Sequence, residues 1–222
     1  MNFDHDWLPE QKLKSVTNEQ TGKRNYVTPG GHSYPSVTTV LSEHNKQHIL
    51  EWRKRVGEET ANRISKYAAN RGTRFHKHCE KYLLNETPDL SNPVHKDMFT
   101  RIQPILDDIS NVRALEYNLY SDFLRLAGTV DCVADYKGHR HIIDFKTSSR
   151  HKREDQISNY FMQAAAYAIM IEERYKLPTQ RLLIIIAVED SEPQVFLQHR
   201  DLWADSLLEY RDVYEFNNRT VR

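Results

Sequence analysis

The sequence predicts an α/β fold with a mixed central sheet flanked by helices, and three observations predict it. Strand signals cluster between Ala114 and Thr147. An alanine-rich stretch, Gln156 to Tyr175, is apolar nearly all round and reads as a largely buried helix. The run Leu182 to Val188 is continuous Leu and Ile between turn signals, the mark of a strand buried on both faces. Strands, then a helix, then a further strand need a crossover, which gives a sheet covered by helices. With 222 residues the chain is long enough to bury one good-sized core.

The elements follow in order. Residues 1–35 read as extended chain and turns, with Arg24 to Thr28 and His32 to Tyr34 forming a hairpin around Pro29-Gly30-Gly31. Ser36 is placed to cap a helix carrying Val37, Val40 and Leu41. Helical periodicity then runs to about Leu84, through Ile49, Trp52, Val56, Ile64, Tyr67, Phe75, Cys79 and Leu83. Gly57 and Asn70-Arg71-Gly72 mark breaks or close contacts within it. Asn85 to Pro93 is a loop and Val94 to Ile109 a helix. Ala114 to Ser121, Leu124 to Tyr136 and His141 to Thr147 are strands, the last two joined by a Lys137-Gly138-His139 turn. Val195 to His199 is an edge strand, and Asp201 caps a final helix.

Composition excludes several classes. The longest apolar runs, Leu182 to Val188 and Ala164 to Ile171, fall far short of the ~20 residues that cross a bilayer, so no membrane partner is expected. Met1 to Asp6 is acidic, unlike a secretory signal. Two cysteines, Cys79 and Cys132, without a CxxC exclude a disulfide scaffold, a four-cysteine zinc site and a self-contained iron–sulfur cluster. The 31 basic and 31 acidic residues cancel, but unevenly along the chain. Lys46 to Lys81 holds ten Lys/Arg against four Asp/Glu, and Lys137 to Arg153 six against one. Folded together these segments would make one electropositive face; apart, they are two solvated surfaces.

The chemistry concentrates in Gly128-Thr129-Val130-Asp131 and Asp144-Phe145-Lys146-Thr147-Ser148. Asp144 and Lys146 are two apart on one strand and so share a face. Asp144 interrupts an apolar run, where an ionised carboxylate is costly unless paired or bound to metal. A hairpin closed at Lys137-Gly138-His139 sets Asp131 opposite Asp144, and two such carboxylates repel unless a cation or proton lies between them. Hard oxygen ligands of this kind suit Mg²⁺ or Mn²⁺, and Lys146 would orient a water, deprotonate it as the neutral amine, or stabilise developing charge as the ammonium. Asp-x-Lys read alone is a weak signal and fits a structural salt bridge at a strand end better.

The wider string resembles the RecB-like branch of the PD-(D/E)xK nuclease superfamily: His76 and Glu80 on a helix, Gly128-x-x-Asp131, Asp144-x-Lys146, then Gln163-x-x-x-Tyr167 on the next helix, in that order. Glu116 matches a position often acidic in that family. Tyr34-Pro35-Ser36-Val37-Thr38-Thr39-Val40-Leu41, Trp52 and Arg71-Gly72-Thr73-x-x-His76 are similar to the mitochondrial genome maintenance exonuclease group and its phage relatives. The resemblance implies a restriction-endonuclease-like core over 71–222 and a hairpin with a helical cover or arch over 1–70, together one compact unit. It implies a metal-dependent DNA exonuclease acting on single strands from a free end, in replication, repair or recombination, with helicase or recombination proteins as natural company. A structure-specific endonuclease and a non-catalytic DNA-binding subunit are the alternatives. The acidic start fits a cytoplasmic protein of a phage or bacterium better than a mitochondrial one.

By the same resemblance His76, Asp131, Asp144 and the Phe145 carbonyl hold Mg²⁺ or Mn²⁺, Lys146 serves the attacking water, and Glu80 and Gln163 support them. Arg71, Arg74, Lys77, Thr147, Ser148, Arg150, Lys152 and Tyr167 would line the DNA. For Tyr167 ordinary core packing, and for Thr147 and Ser148 turn chemistry at the strand exit, stand beside these roles.

Overall fold

The computed structural model describes residues 2–218; Met1 and residues 219–222, the outer limits of the two-part division above, lie outside it. A small antiparallel sheet comes first: β1 (Lys14–Thr17), β2 (Arg24–Val27) and β3 (Ser33–Pro35), in that order. The expected hairpin around Pro29-Gly30-Gly31 is β2–β3. Ser36 then caps α1 (Val37–His44) by accepting the Thr39 N–H at 3.0 Å. The helical stretch is divided into α2 (Lys46–Val56) and α3 (Glu58–Leu83), with Gly57 at φ 85 as the hinge. No break occurs at Asn70-Arg71-Gly72. Gly72 lies within α3 near Thr147, and a Cβ there would make an ordinary 3.9 Å contact with Thr147 Oγ1.

After α4 (Pro93–Leu106) come β4 (Ile109–Ser121), β5 (Leu126–Tyr136) and β6 (His139–Ser148), an antiparallel meander. A two-residue turn joins β5 to β6, with Lys137 and Gly138 both at positive φ (50 and 78), the geometry that suits the twist of a tight hairpin. Helix α5 (Ser158–Tyr175) crosses over to β7 (Arg181–Val188), which lies parallel to β6. β8 (Gln194–His199) closes the edge, and α6 (Asp201–Asn218) follows. Asp201 is the first helical residue rather than the cap. The five-stranded order β4-β5-β6-β7-β8 is the mixed sheet expected from the element order.

Helices cover both faces. On one side α1, α5 and α6 pack on Val130, Val133, Ile142, Leu182 and Ile184. On the other, α3 and α4 pack on Cys132, Ala134, Ile143, Phe145 and Leu183, with Cys79 and Cys132 both buried and free. Because Val37, Val40 and Leu41 of α1 belong to the core, the exposed part of the N-terminal helices begins only at α2. α2 buries no residue, and residues 62–70 of α3 are all exposed. Among the described residues no helix is long and apolar enough to cross a membrane.

Candidate active site

The β5–β6 ladder pairs Cys132 with Ile143 and Val133 with Ile142, the register that sets Asp131 opposite Asp144. Asp131 Oδ2 accepts the Phe145 N–H at 2.8 Å, which locks its carboxylate against β6. The cation that relieves the two carboxylates is not shared between them. Asp131 faces His76 of α3, Nδ1 to Oδ2 at 3.5 Å, whereas Asp144 Oδ1 accepts from Lys146 Nζ at 2.5 Å. Asp144 Oδ2 is buried and has no hydrogen-bond partner. An orphaned carboxylate oxygen at that depth is a costly group whose natural complement is a cation.

Glu116 completes the cluster. Its Oε1 lies 3.7 Å from His76 Nδ1, and one ligand atom each from His76, Glu116 and Asp131 fall within 4.8 Å of one another. The β4–β5 ladder keeps one register from Leu115↔Cys132 to Tyr117↔Val130, which sets Glu116 opposite Asp131, and the φ of 44 at Glu116 is unusual for a non-glycine residue in a strand. His76, Glu80 and Glu116 face an open groove of about 520 Å³ with Gly72, Thr73 and Lys77.

The electrostatics follow from this packing. Burial would pull the His76 imidazole down, but the charge and hydrogen bond of Asp131, with Glu116, outweigh it and raise its pKa to about 10. Burial pushes Asp131 up, yet His76 and Lys146 hold it below the ordinary carboxylate value. Burial dominates at Asp144 and, despite Lys146, raises it to about 6. Lys146 is desolvated too, but Asp144 and Asp131 keep it firmly protonated, and Nζ lies 5.1 Å from the centre of the Tyr160 ring. Glu80 is raised, by burial and then by the charge of Glu116.

The remaining sequence-derived residues divide. Arg74 and Lys77 are exposed on α3, Arg150 is exposed after β6, and Lys152 and Thr147 are half-buried. Arg71 is buried and paired with Glu189 Oε1 at 2.8 Å, and Tyr67 Oη donates to the same oxygen. Ser148 is buried, and its hydroxyl donates to the Arg150 carbonyl and accepts the Arg150 N–H, which is turn chemistry. Tyr167 is 2% exposed, its ring packed against Gly128. Gln163 is buried beside it. Two contacts had no signal in the sequence: Tyr160 over Lys146 and Glu189 on Arg71, each lying outside any spaced motif. Glu116 carried a signal only through the family resemblance.

Residues 39–213 match the PD-(D/E)XK nuclease superfamily. The chain is 32% identical to mitochondrial genome maintenance exonuclease 1 of Mus musculus over 84% of its own length and 61% of the relative's. For the Homo sapiens protein of that name the figures are 33%, 72% and 50%, and for the Xenopus tropicalis one 30%, 77% and 52%. The chain thus spans between half and three fifths of the relatives it matches.

Proposed function

Because this chain belongs to the PD-(D/E)XK nuclease superfamily, we propose that it is a divalent-metal-dependent deoxyribonuclease that hydrolyses single-stranded DNA from a free end, in replication, repair or recombination. One observation carries the reading: a His76–Glu116–Asp131 cluster beside the buried Asp144–Lys146 pair, with one oxygen of Asp144 left without a partner. These donors fit a hard divalent cation, with the imidazole making Mn²⁺ as suitable as Mg²⁺.

When bound, such a metal supplies Lewis acidity to a water and to a phosphate oxygen. The chain's own residues do the rest. His76, Glu116, Asp131 and Asp144 would hold the ion, the Phe145 N–H orienting Asp131 for it. Lys146, kept as an ammonium in the metal-free protein by Asp144 and Asp131, would donate hydrogen bonds to the attacking water or to the developing oxyanion. Lys77 lines the groove, and with the exposed Arg74 and Arg150 it would take backbone phosphates. The preference for single strands rests on α2 and the start of α3. There Ile49, Leu50, Ile64 and Tyr67 are exposed among the exposed Lys46, Lys54, Arg55, Arg63 and Lys66, the mixture that stacks bases and tracks a backbone.

The test compares linear single-stranded, linear duplex and circular single-stranded DNA with Mg²⁺, Mn²⁺ or EDTA, beside Lys146→Ala. Ends should shorten on linear single strands in either metal, with circles spared and the variant inert. Cut circles would replace the end requirement by endonuclease action. No metal-dependent cleavage of any substrate would overturn the enzymatic reading.

A further inference from the structure

At the end of the sheet where β6 and β7 begin and β8 stops, a separate cavity of about 640 Å³ opens. Histidine and arginine dominate its wall: His139, Arg140, His141, Arg181 and His199, with no carboxylate among the lining residues. The register explains why they converge. His141 of β6 is opposite Arg181 of β7, and Arg181 is opposite His199 of β8. Residues paired across adjacent strands share a face at about 4.8 Å spacing, so the three form a row roughly 10 Å wide with Arg181 at its centre.

The hydrogen bonding leaves donors unused. Arg140 Nη1 donates to the Pro178 carbonyl at 3.3 Å, while its Nε is buried without a partner. Arg181 is exposed, and among the described residues its side chain forms no ion pair. His141 is 3% exposed, with Nδ1 2.6 Å from the His139 carbonyl; that bond places the proton on Nδ1 and leaves Nε2 as an acceptor. The nearest acids are engaged elsewhere or peripheral: Asp135 binds Arg113 and Asn111, and Asp201 lies 3.6 Å from His199 Nδ1 at the rim. A cavity of this size, fringed by two guanidinium groups and offering an acceptor at its floor, suits an anionic ester with hydroxyl groups better than a bare anion.

We propose that this cavity binds a nucleotide phosphate, with Arg181 as the central anchor between His141 and His199 and Arg140 at the cavity wall. The phosphate belongs either to a free mononucleotide or to a nucleic-acid strand. Binding here is independent of cleavage, since none of these residues is in the catalytic cluster.

Titration in EDTA, read by the imidazole NMR signals of His141 and His199, tests it with three probes: inorganic phosphate, 5′-dAMP and an unphosphorylated dT8 strand. Saturable shifts with dAMP identify a mononucleotide site, and shifts with dT8 alone a strand site. In either case Arg181→Ala should weaken binding by about tenfold or more, Arg181→Lys should recover part of it, and His199→Ala should give a smaller loss. Melting curves of each variant report whether the fold is kept. The proposal is overturned if no probe moves these signals, if inorganic phosphate binds as tightly as both nucleotides, or if folded Arg181→Ala binds like the parent.

Discussion

Gly128→Ala should destabilise the protein through a single contact. Gly128 is buried in β5, three residues before Asp131, and a Cβ there would stand 2.7 Å from Tyr167 Oη, 3.0 Å from Cε1 and 3.2 Å from Cζ. Carbon contacts are most favourable at about 3.5–4.0 Å, so all three are repulsive. Tyr167 has nowhere to go, because it is itself buried on α5 with Ala164, Ala165, Ala166 and Ala168 buried around it. Gly128 has no positive φ, so the demand for glycine here is space and not backbone conformation. Overpacking of this kind costs about 1–3 kcal/mol. For a chain of 222 residues, at roughly 2–4 °C per kcal/mol, Tm falls by roughly 2–12 °C. Calorimetric melts of the metal-free protein measure this directly. Adding Tyr167→Phe removes the atom at 2.7 Å and should restore a substantial part of the loss, a non-additive rescue. An unchanged Tm for Gly128→Ala, or a double variant no better than the sum of the singles, would refute the steric account.

Four further outcomes follow. Asp144 ionises at about 6 in the fold, against 3.8 ordinarily, so its ionisation opposes folding. The cost is absent below about pH 4, grows to about 3 kcal/mol near pH 6 and stays constant above. Denaturant melts of metal-free Asp144→Asn/Lys146→Met should therefore lack that fall, and matching pH profiles would contradict the burial argument. His76, raised to about 10, stabilises the metal-free fold fully below about pH 6.5 and loses that contribution as pH rises through 10. Metal binding must then expel its proton, so calorimetry at pH 8 in buffers of different ionisation enthalpy should show release of about one proton with Mn²⁺, and markedly less in His76→Gln. Arg71→Ala leaves the half-buried Glu189 with Tyr67 Oη as its remaining donor and should cost about 1–3 kcal/mol. Arg74→Ala and Lys77→Ala should leave Tm alone and flatten the salt dependence of DNA binding, measured by anisotropy in EDTA.

The parts of the site that lie close in sequence were legible. A two-residue turn at Lys137-Gly138 fixes the β5–β6 register, so the juxtaposition of Asp131 and Asp144 follows from counting back from the turn. Alternation places Lys146 on the face of Asp144, and the 2.5 Å contact bears this out. The buried helix, the doubly buried β7 and the edge strand β8 were likewise written in periodicity and in runs of Leu and Ile.

Residue type and order therefore determined the fold class, the strand that carries Asp144 and Lys146, and the family to which the chain belongs. Tertiary structure decided what each side chain faces. Charge patterning alone cannot separate Arg71, which meets Glu189, from Arg74 and Lys77, which meet solvent. Nor can the helical spacing of Gln163 and Tyr167 tell that the ring turns to Gly128. The union of Glu116 with His76 depends on the unusual φ at Glu116 in β4, and the row His141–Arg181–His199 on a crossover and an edge strand. Local periodicity records which way a residue points within its own element. The partner it meets there is set by packing between elements, and Tyr67 and Glu189, joined across 122 residues, share no local pattern that could announce it.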